Sequence, residues 1–165
     1  MSGKSSKQYL FEVQLNWLAG TRGVLSAMGA EGTVHVGTSP EFGGSGKPWS
    51  PEHLFLSSVS SCFMSTYIVF AEKMNFEIAD FECAATGQVE VVDGKYRFTF
   101  IHLYPKAYTK NIADKETVLM AMEKAKKYCL VSNSLNAEII YHMEVEVKED
   151  TEKINSKKRV PVKQE

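Results

Sequence analysis

Between residues 9 and 17 the odd positions Tyr9, Phe11, Val13, Leu15 and Trp17 are apolar, while Glu12, Gln14 and Asn16 between them are polar. This period of two predicts a strand with one buried face. Further strands are predicted over residues 23–27 and 33–36, completing an antiparallel start. Residues 37–50 are turn formers throughout, and Gly43, Gly44 and Gly46 open backbone angles closed to other residues, so this stretch predicts a loop. Ser50 then reads as an N-cap and Pro51 as the first residue of a helix reaching residue 75. Its positions Phe55, Val59, Cys62, Thr66, Val69 and Phe70 follow helical spacing on one face, and the serines at 57, 58, 60, 61 and 65 keep neighbouring side chains short. Leu54, Leu56, Phe63 and Ile68 stand on its other sides. The helix is therefore expected to be largely buried, with sheet on one side and another helix on the other.

Alternation returns over residues 81–92, with Phe81, Cys83, Ala85, Val89 and Val91 on the apolar side, and ends at Asp93-Gly94, a strong short hairpin signal. Residues 96–104 form the returning strand. A helix over 114–128 stacks Val118, Met122, Ala125 and Cys129 at i, i+4, i+7 and i+11. A last strand over 137–147 directs Ala137, Ile139, Tyr141, Met143, Val145 and Val147 inward. The expected order is βββαββαβ, an α+β arrangement without internal repeat. Residues 9–147 form its single domain, between a flexible start at 1–8 and a charged tail at 148–165 with too little apolar surface to offset its ordering entropy.

Composition narrows the function. The chain has 165 residues with 44% apolar content, enough for one sizeable core. Its 19 basic and 20 acidic side chains leave a net charge of −1, so no positive field is available for nucleic acid or anionic lipid. The start lacks the apolar stretch of a signal peptide, and no run is expected to reach the roughly 20 apolar residues that span a bilayer. A cytoplasmic protein without membrane or nucleic-acid partners is the expectation. Three cysteines are too few for a secreted disulfide framework. His35, His53, His102 and His142 are dispersed without metal-ligand spacing, so neither metal nor organic cofactor is expected.

No P-loop, GxGxxG, HExxH, GxSxG or CxxC motif occurs. Two cysteines instead sit in specific surroundings: Cys62 closes a segment that begins Ser50-Pro51-Glu52-His53-Leu54-Phe55, and Cys129 lies in Tyr128-Cys129-Leu130-Val131-Ser132-Asn133. Cys83 has no such setting and reads as structural, and the Ser132-Asn133-Ser134 cluster as a helix-ending turn. Together with Ser39-Pro40-Glu41-Phe42-Gly43-Gly44, these segments resemble the OsmC/Ohr family of hydroperoxide-reducing proteins. The likeness extends over residues 9–147.

That resemblance implies an intertwined homodimer in which antiparallel sheets wrap two central cysteine-bearing helices, with sites at the subunit interface. It implies antioxidant reduction of organic hydroperoxides during stress, through a peroxidatic cysteine matching Cys62 and a resolving cysteine matching Cys129. An external dithiol, such as a lipoyl group, would then reset the pair. It also implies a glutamate, matched by Glu52, and an arginine. Of the three arginines, Arg159 lies in the tail and Arg97 alternates with apolar strand neighbours, which leaves Arg22. Leu130 stands where the family commonly carries proline, marking a divergent branch. Phe42, Trp49, Phe55 and Phe63 are candidate walls of an apolar substrate pocket.

The chemistry explains the residue types. Thiolate attacks a peroxide, yet an apolar helical site disfavours thiolate, so a fixed cation is needed; a guanidinium stays charged when desolvated, and a carboxylate orients it. Glu52 and Cys62 are ten residues apart, about 15 Å along one straight helix. Either the helix breaks between them or a partner chain supplies the glutamate, and the second is preferred. Two other classes remain open: a dimeric binding or redox-sensing protein for an apolar molecule, and a hot-dog thioesterase.

Overall fold

A computed structural model describes residues 7–148. The expected tail lies outside the described residues except for Lys148. The chain divides into two compact units, Met1–Phe55 and Leu56–Glu165.

In the N-terminal unit, β1 (Val13–Ala19), β2 (Arg22–Ala27) and β3 (Val34–Gly37) form an antiparallel sheet in chain order. The first strand starts later than its alternation predicts, leaving Tyr9 and Phe11 ahead of it. The expectation of a buried face also fails here. Tyr9, Phe11, Val13, Leu15 and Trp17 are all exposed, Trp17 by 74%. Alternation identifies a face but not what covers it, and nothing in the described chain covers this one. The loop after β3 contains one 3-10 turn, Pro40–Phe42, ended by Gly43 at φ 84°. A side chain at Gly44 would meet the Thr38 carbonyl oxygen at 1.6 Å, so only glycine fits there.

Helix α1 (Pro51–Lys73) begins as expected. The Ser50 hydroxyl accepts from the His53 amide at 3.2 Å, and His53 Nδ1 accepts from the Ser50 amide at 3.2 Å, a reciprocal cap with histidine in the place usually held by glutamate. By length and composition α1 is apolar enough to cross a membrane, with a mean hydropathy of 1.6, which corrects the expectation that no run would qualify. Its fully buried positions are Val59, Phe63, Tyr67 and Ala71, a stripe at i, i+4, i+8 and i+12. Cys62 stands beside that stripe rather than on it, and Phe63, expected on another side, is its centre. Met64, Ile68 and Val69 are exposed, so the helix is covered along one face only.

In the C-terminal unit, β4 (Asp80–Val92) and β5 (Lys95–Thr109) form the predicted hairpin, with Asp93 at φ 51° and Gly94 at φ 73°, the positive angles a tight turn needs. Val91, expected to face inward, lies near the hairpin tip and is exposed. Helix α2 (Lys115–Tyr128) buries Val118, Ala121, Met122 and Ala125, and its stripe ends at Cys129, which is fully buried. A one-turn helix, α3 (Leu130–Asn133), follows at once. The expected last strand is two strands, β6 (Glu138–Tyr141) and β7 (Glu144–Val147), both parallel to β5. The break falls opposite Tyr104 and Pro105, and proline has no N–H to continue a ladder.

Ile101, Leu103, Ala107 and Thr109 of β5 face inward and are buried. Phe81 joins that layer to α1, with ring centres 5.1 Å from Tyr67 and 6.4 Å from Phe63. The opposite face of the sheet is polar: Lys106 pairs with Glu146 at 2.8 Å and Glu144 at 3.3 Å, and Lys148 with Asp80 at 2.6 Å. The arrangement is α+β, with antiparallel pairing throughout the first sheet and between β4 and β5.

Candidate active site

The sulfur pair is assembled wholly within the C-terminal unit. Cys62 projects from the middle of α1, half-buried, and Cys129 caps α3 from the end of α2. Both are free thiols, and they lie close enough that each sulfur acts on the other's proton. The link is completed by backbone: the Val131 N–H donates to Cys62 Sγ at 3.4 Å. The turn that carries Cys129 thus also holds the sulfur of a residue far away in sequence.

Burial raises the Cys129 thiol above its ordinary value; the hydroxyl and amide of Ser132 pull it down, and the neighbouring Cys62 sulfur pushes it up again. The Ser132 hydroxyl donates to Cys129 Sγ at 3.1 Å. Tyr141, at the end of β6, is raised chiefly by burial, opposed by a hydrogen bond with Ser132, and raised further by the charges of Cys129, Cys62 and Cys83. Its ring lies 5.7 Å from that of Phe63, and the Lys126 ammonium sits 5.4 Å from the Tyr141 ring centre. Cys83, on the inward side of β4, is pushed up to about 12 by burial, which makes it a poor nucleophile.

Ser132 and Tyr141 were not found from sequence. The serine reads as a turn former and the tyrosine as one more inward strand residue; no local pattern shows that a turn and a strand end converge on one sulfur. A cleft of about 570 Å³ lined by Ser65, Thr66, Val69, Phe70, Lys73, Lys124 and Tyr128 was also missed. Thr66 lies one turn beyond Cys62 and donates to its carbonyl at 2.8 Å, and Tyr128 precedes Cys129. Of the proposed pocket walls, Phe63 is fully buried in the core. His102 and His142, dispersed in sequence, meet with Nδ1 and Nε2 3.0 Å apart.

The other nominated residues belong to the N-terminal unit. Arg22 opens β2 and, with Leu18, Gly23, His35, Val36, Ser45, Lys47 and Pro48, lines a cleft of about 270 Å³; it makes no ion pair among the described residues. Glu52 is in the first turn of α1, and its Oε2 is buried without a hydrogen-bond partner among the described residues. Phe42 and Trp49 are about half exposed, at 43% and 52%, and Phe55 ends the unit half-buried.

A family model described as OsmC-like protein matches residues 44–144. The uncharacterized YmaD protein of Bacillus subtilis is 22% identical over 141 residues, which are 84% of this chain and 94% of that one. Among solved structures, an OsmC-like protein of unknown function from Vibrio cholerae superposes with a TM-score of 0.70 at 17% identity, covering 86% of this chain and 100% of that one. An organic hydroperoxide resistance protein OsmC from Legionella pneumophila gives a TM-score of 0.67 at 19% identity, with coverage of 86% and 100%. One from Elizabethkingia anophelis, also an organic hydroperoxide resistance protein, gives 0.66 at 18% identity, with coverage of 86% and 99%.

Proposed function

Because the chain belongs to the OsmC-like protein family, we propose that it is a thiol-dependent peroxidase that reduces organic hydroperoxides through Cys62, with Cys129 as resolving thiol. The observation that carries this reading is the pair of free sulfurs gathered at one turn, whose Val131 N–H donates to Cys62 Sγ and whose Ser132 hydroxyl donates to Cys129 Sγ. Two of the structural relatives are organic hydroperoxide resistance proteins, which supports the substrate class.

In this mechanism the Cys62 thiolate attacks the outer oxygen of the hydroperoxide, the O–O bond breaks, and the alkoxide leaves as an alcohol after taking a proton. The resulting sulfenic acid is captured by Cys129 as a disulfide before further oxidation. An external dithiol, of which a lipoyl group is one example, returns two electrons and two protons. The cycle uses no metal or organic cofactor. A cycle that runs on free thiols suits a reducing compartment, so a cytoplasmic location belongs to the same proposal.

Arg22 is assigned to stabilise the thiolate and Glu52 to orient the guanidinium. Among the described residues each has an unmet need: a cation without a carboxylate and a buried carboxylate oxygen without a donor. Helix α1 runs from Pro51 to Lys73 as one element, which favours a partner chain's glutamate over a break between Glu52 and Cys62. The glutamate serving each Cys62 is therefore assigned to the second copy of a homodimer. The exposed apolar face of β1 supports such a partner.

Reduced protein mixed with an alkyl hydroperoxide and a dithiol should consume peroxide, and Cys62→Ser should fall to the uncatalysed rate. Turnover by Cys62→Ser as fast as the parent would overturn the assignment, and full activity in a monomer would overturn the shared site. The cleft between Thr66 and Tyr128 favours a second reading, a binding protein for an apolar molecule. Ligand retained through purification, with no hydroperoxide consumed, would select it.

A further inference from the structure

We propose that Ser132, backed by Tyr141, is the positioning pair that readies Cys129 for disulfide closure, an inference that rests on the peroxidase reading and deepens it. The geometry is a short polar chain through an otherwise apolar interior. Tyr141 ends β6 beside this turn, where Ser132 and the Cys129 sulfur both act on its hydroxyl. The Ser132 hydroxyl donates to Cys129 Sγ at 3.1 Å, and Cys129 in turn meets Cys62. The Tyr141 ring packs 5.7 Å from Phe63, the residue after Cys62, so the two ends of the chain of contacts are tied to the same helix.

Closure is the step that needs such a device. Cys129 supplies the electron pair of the new S–S bond and the S–O bond of the Cys62 sulfenic acid breaks. The proton of the Cys129 thiol leaves with the departing hydroxide as water. Cys129 is oxidised and Cys62 reduced, each from its own side to the disulfide level, and the only oxidant is the hydroperoxide consumed one step earlier. Cys129 is fully buried, where a developing thiolate is disfavoured. A hydrogen bond donated to the charged sulfur offsets that loss.

The titratable groups facing this sulfur come from each packed element: Cys62 from α1, Tyr141 from β6, and Cys83 from β4 acting on Tyr141. Lys126 of α2 lies on the Tyr141 ring and is itself paired with Glu123 at 3.9 Å. Ser132 differs from all of them. It donates directly to the sulfur and carries no charge at any working pH, so its help does not switch off when the medium changes.

The test is a single-turnover experiment on the full chain with tert-butyl hydroperoxide. Cys62 sulfenic acid is trapped with dimedone and disulfide is followed by mass. Ser132→Ala should slow closure about tenfold at neutral pH, several times more than it slows sulfenic acid formation. Ser132→Thr should restore most of the rate, and Tyr141→Phe should slow closure by a smaller factor, about threefold. In a Cys62→Ser, Cys83→Ser background, ultraviolet thiolate absorbance reports Cys129 alone. There Ser132→Ala should move the titration midpoint up by about one pH unit. Closure at the parent rate, equal slowing of both steps, or an unmoved midpoint would overturn the proposal. If no variant, nor the parent, forms sulfenic acid, the peroxidase reading fails, while the titration still decides whether Ser132 tunes Cys129.

Discussion

From Leu56 onward the chain builds an interior of its own, in which Val59, Phe63, Tyr67, Ile101, Leu103, Val118 and Met122 are all fully buried, although Met64, Ile68 and Val69 on the far side of α1 stay exposed. The N-terminal sheet has an equally regular alternation and leaves Val13, Leu15 and Trp17 exposed by 65%, 59% and 74%. The same pattern has thus produced a closed interior in one region and an open apolar face in the other. The difference lies in what each region offers its own strands. Helices α1 and α2 supply stripes of buried side chains in the first case, whereas β1 pairs with β2 at its edge, which satisfies backbone groups and leaves its side-chain face bare. The homodimer proposed above would place its second copy on that open face.

The strongest way to break this contrast is to cut a large side chain from each region. Phe63→Ala removes a buried ring that touches Phe81 and Tyr141, and should lower unfolding free energy by about 3–5 kcal/mol in denaturant titrations. Leu15→Ser should change the folding of the isolated chain by no more than about 0.5 kcal/mol and should shift sedimentation toward the monomer. If Leu15→Ser matches Phe63→Ala in a dilute monomeric sample, the face is covered by the chain itself and the contrast is lost.

The same contrast explains how far the sequence could be read. The Cys129 end of the α2 stripe, the Asp93-Gly94 hairpin and the Ser50-Pro51 helix start are local, each decided within a few residues by period, turn chemistry or capping. Features set by remote partners were not legible. The split of the last strand depends on Pro105 standing opposite Met143 across β5. The centring of the α1 stripe on Phe63 rather than Cys62 depends on Phe81. The convergence of Ser132 and Tyr141 on Cys129 depends on where a turn and a strand end come to rest.

An intermediate effect sharpens the picture of the closed region. Burial raises Cys83 to about 12 and Tyr67 to about 12, so in the folded chain both hold their protons beyond the pH at which the unfolded chain releases them. Between those two pH values the folded state binds more protons, and stability falls as pH rises. The loss should begin near pH 9, where an ordinary thiol starts to ionise, and continue to about 12. Cys83→Ala should flatten the early part of that decline in urea titrations run at stepped pH. An unchanged slope would mean that the Cys83 side of β4 is wetter than its burial indicates.

The smallest effect is also the most specific to the interior. Tyr67 is fully buried on the α1 stripe, stacked on Phe81, yet its hydroxyl has no hydrogen-bond partner among the described residues. A buried hydroxyl without a partner carries a desolvation cost that the ring contacts must outweigh. Removing it leaves the ring and its packing in place, so Tyr67→Phe should be neutral or stabilising by about 1 kcal/mol, against the usual sign of a core substitution. It should also lessen the late part of the alkaline decline that Cys83→Ala leaves behind, of which Tyr141 keeps a share. Destabilisation by Tyr67→Phe would instead mean that the hydroxyl meets a donor or acceptor from outside the described residues, and the region that looks closed would then be completed from elsewhere as well.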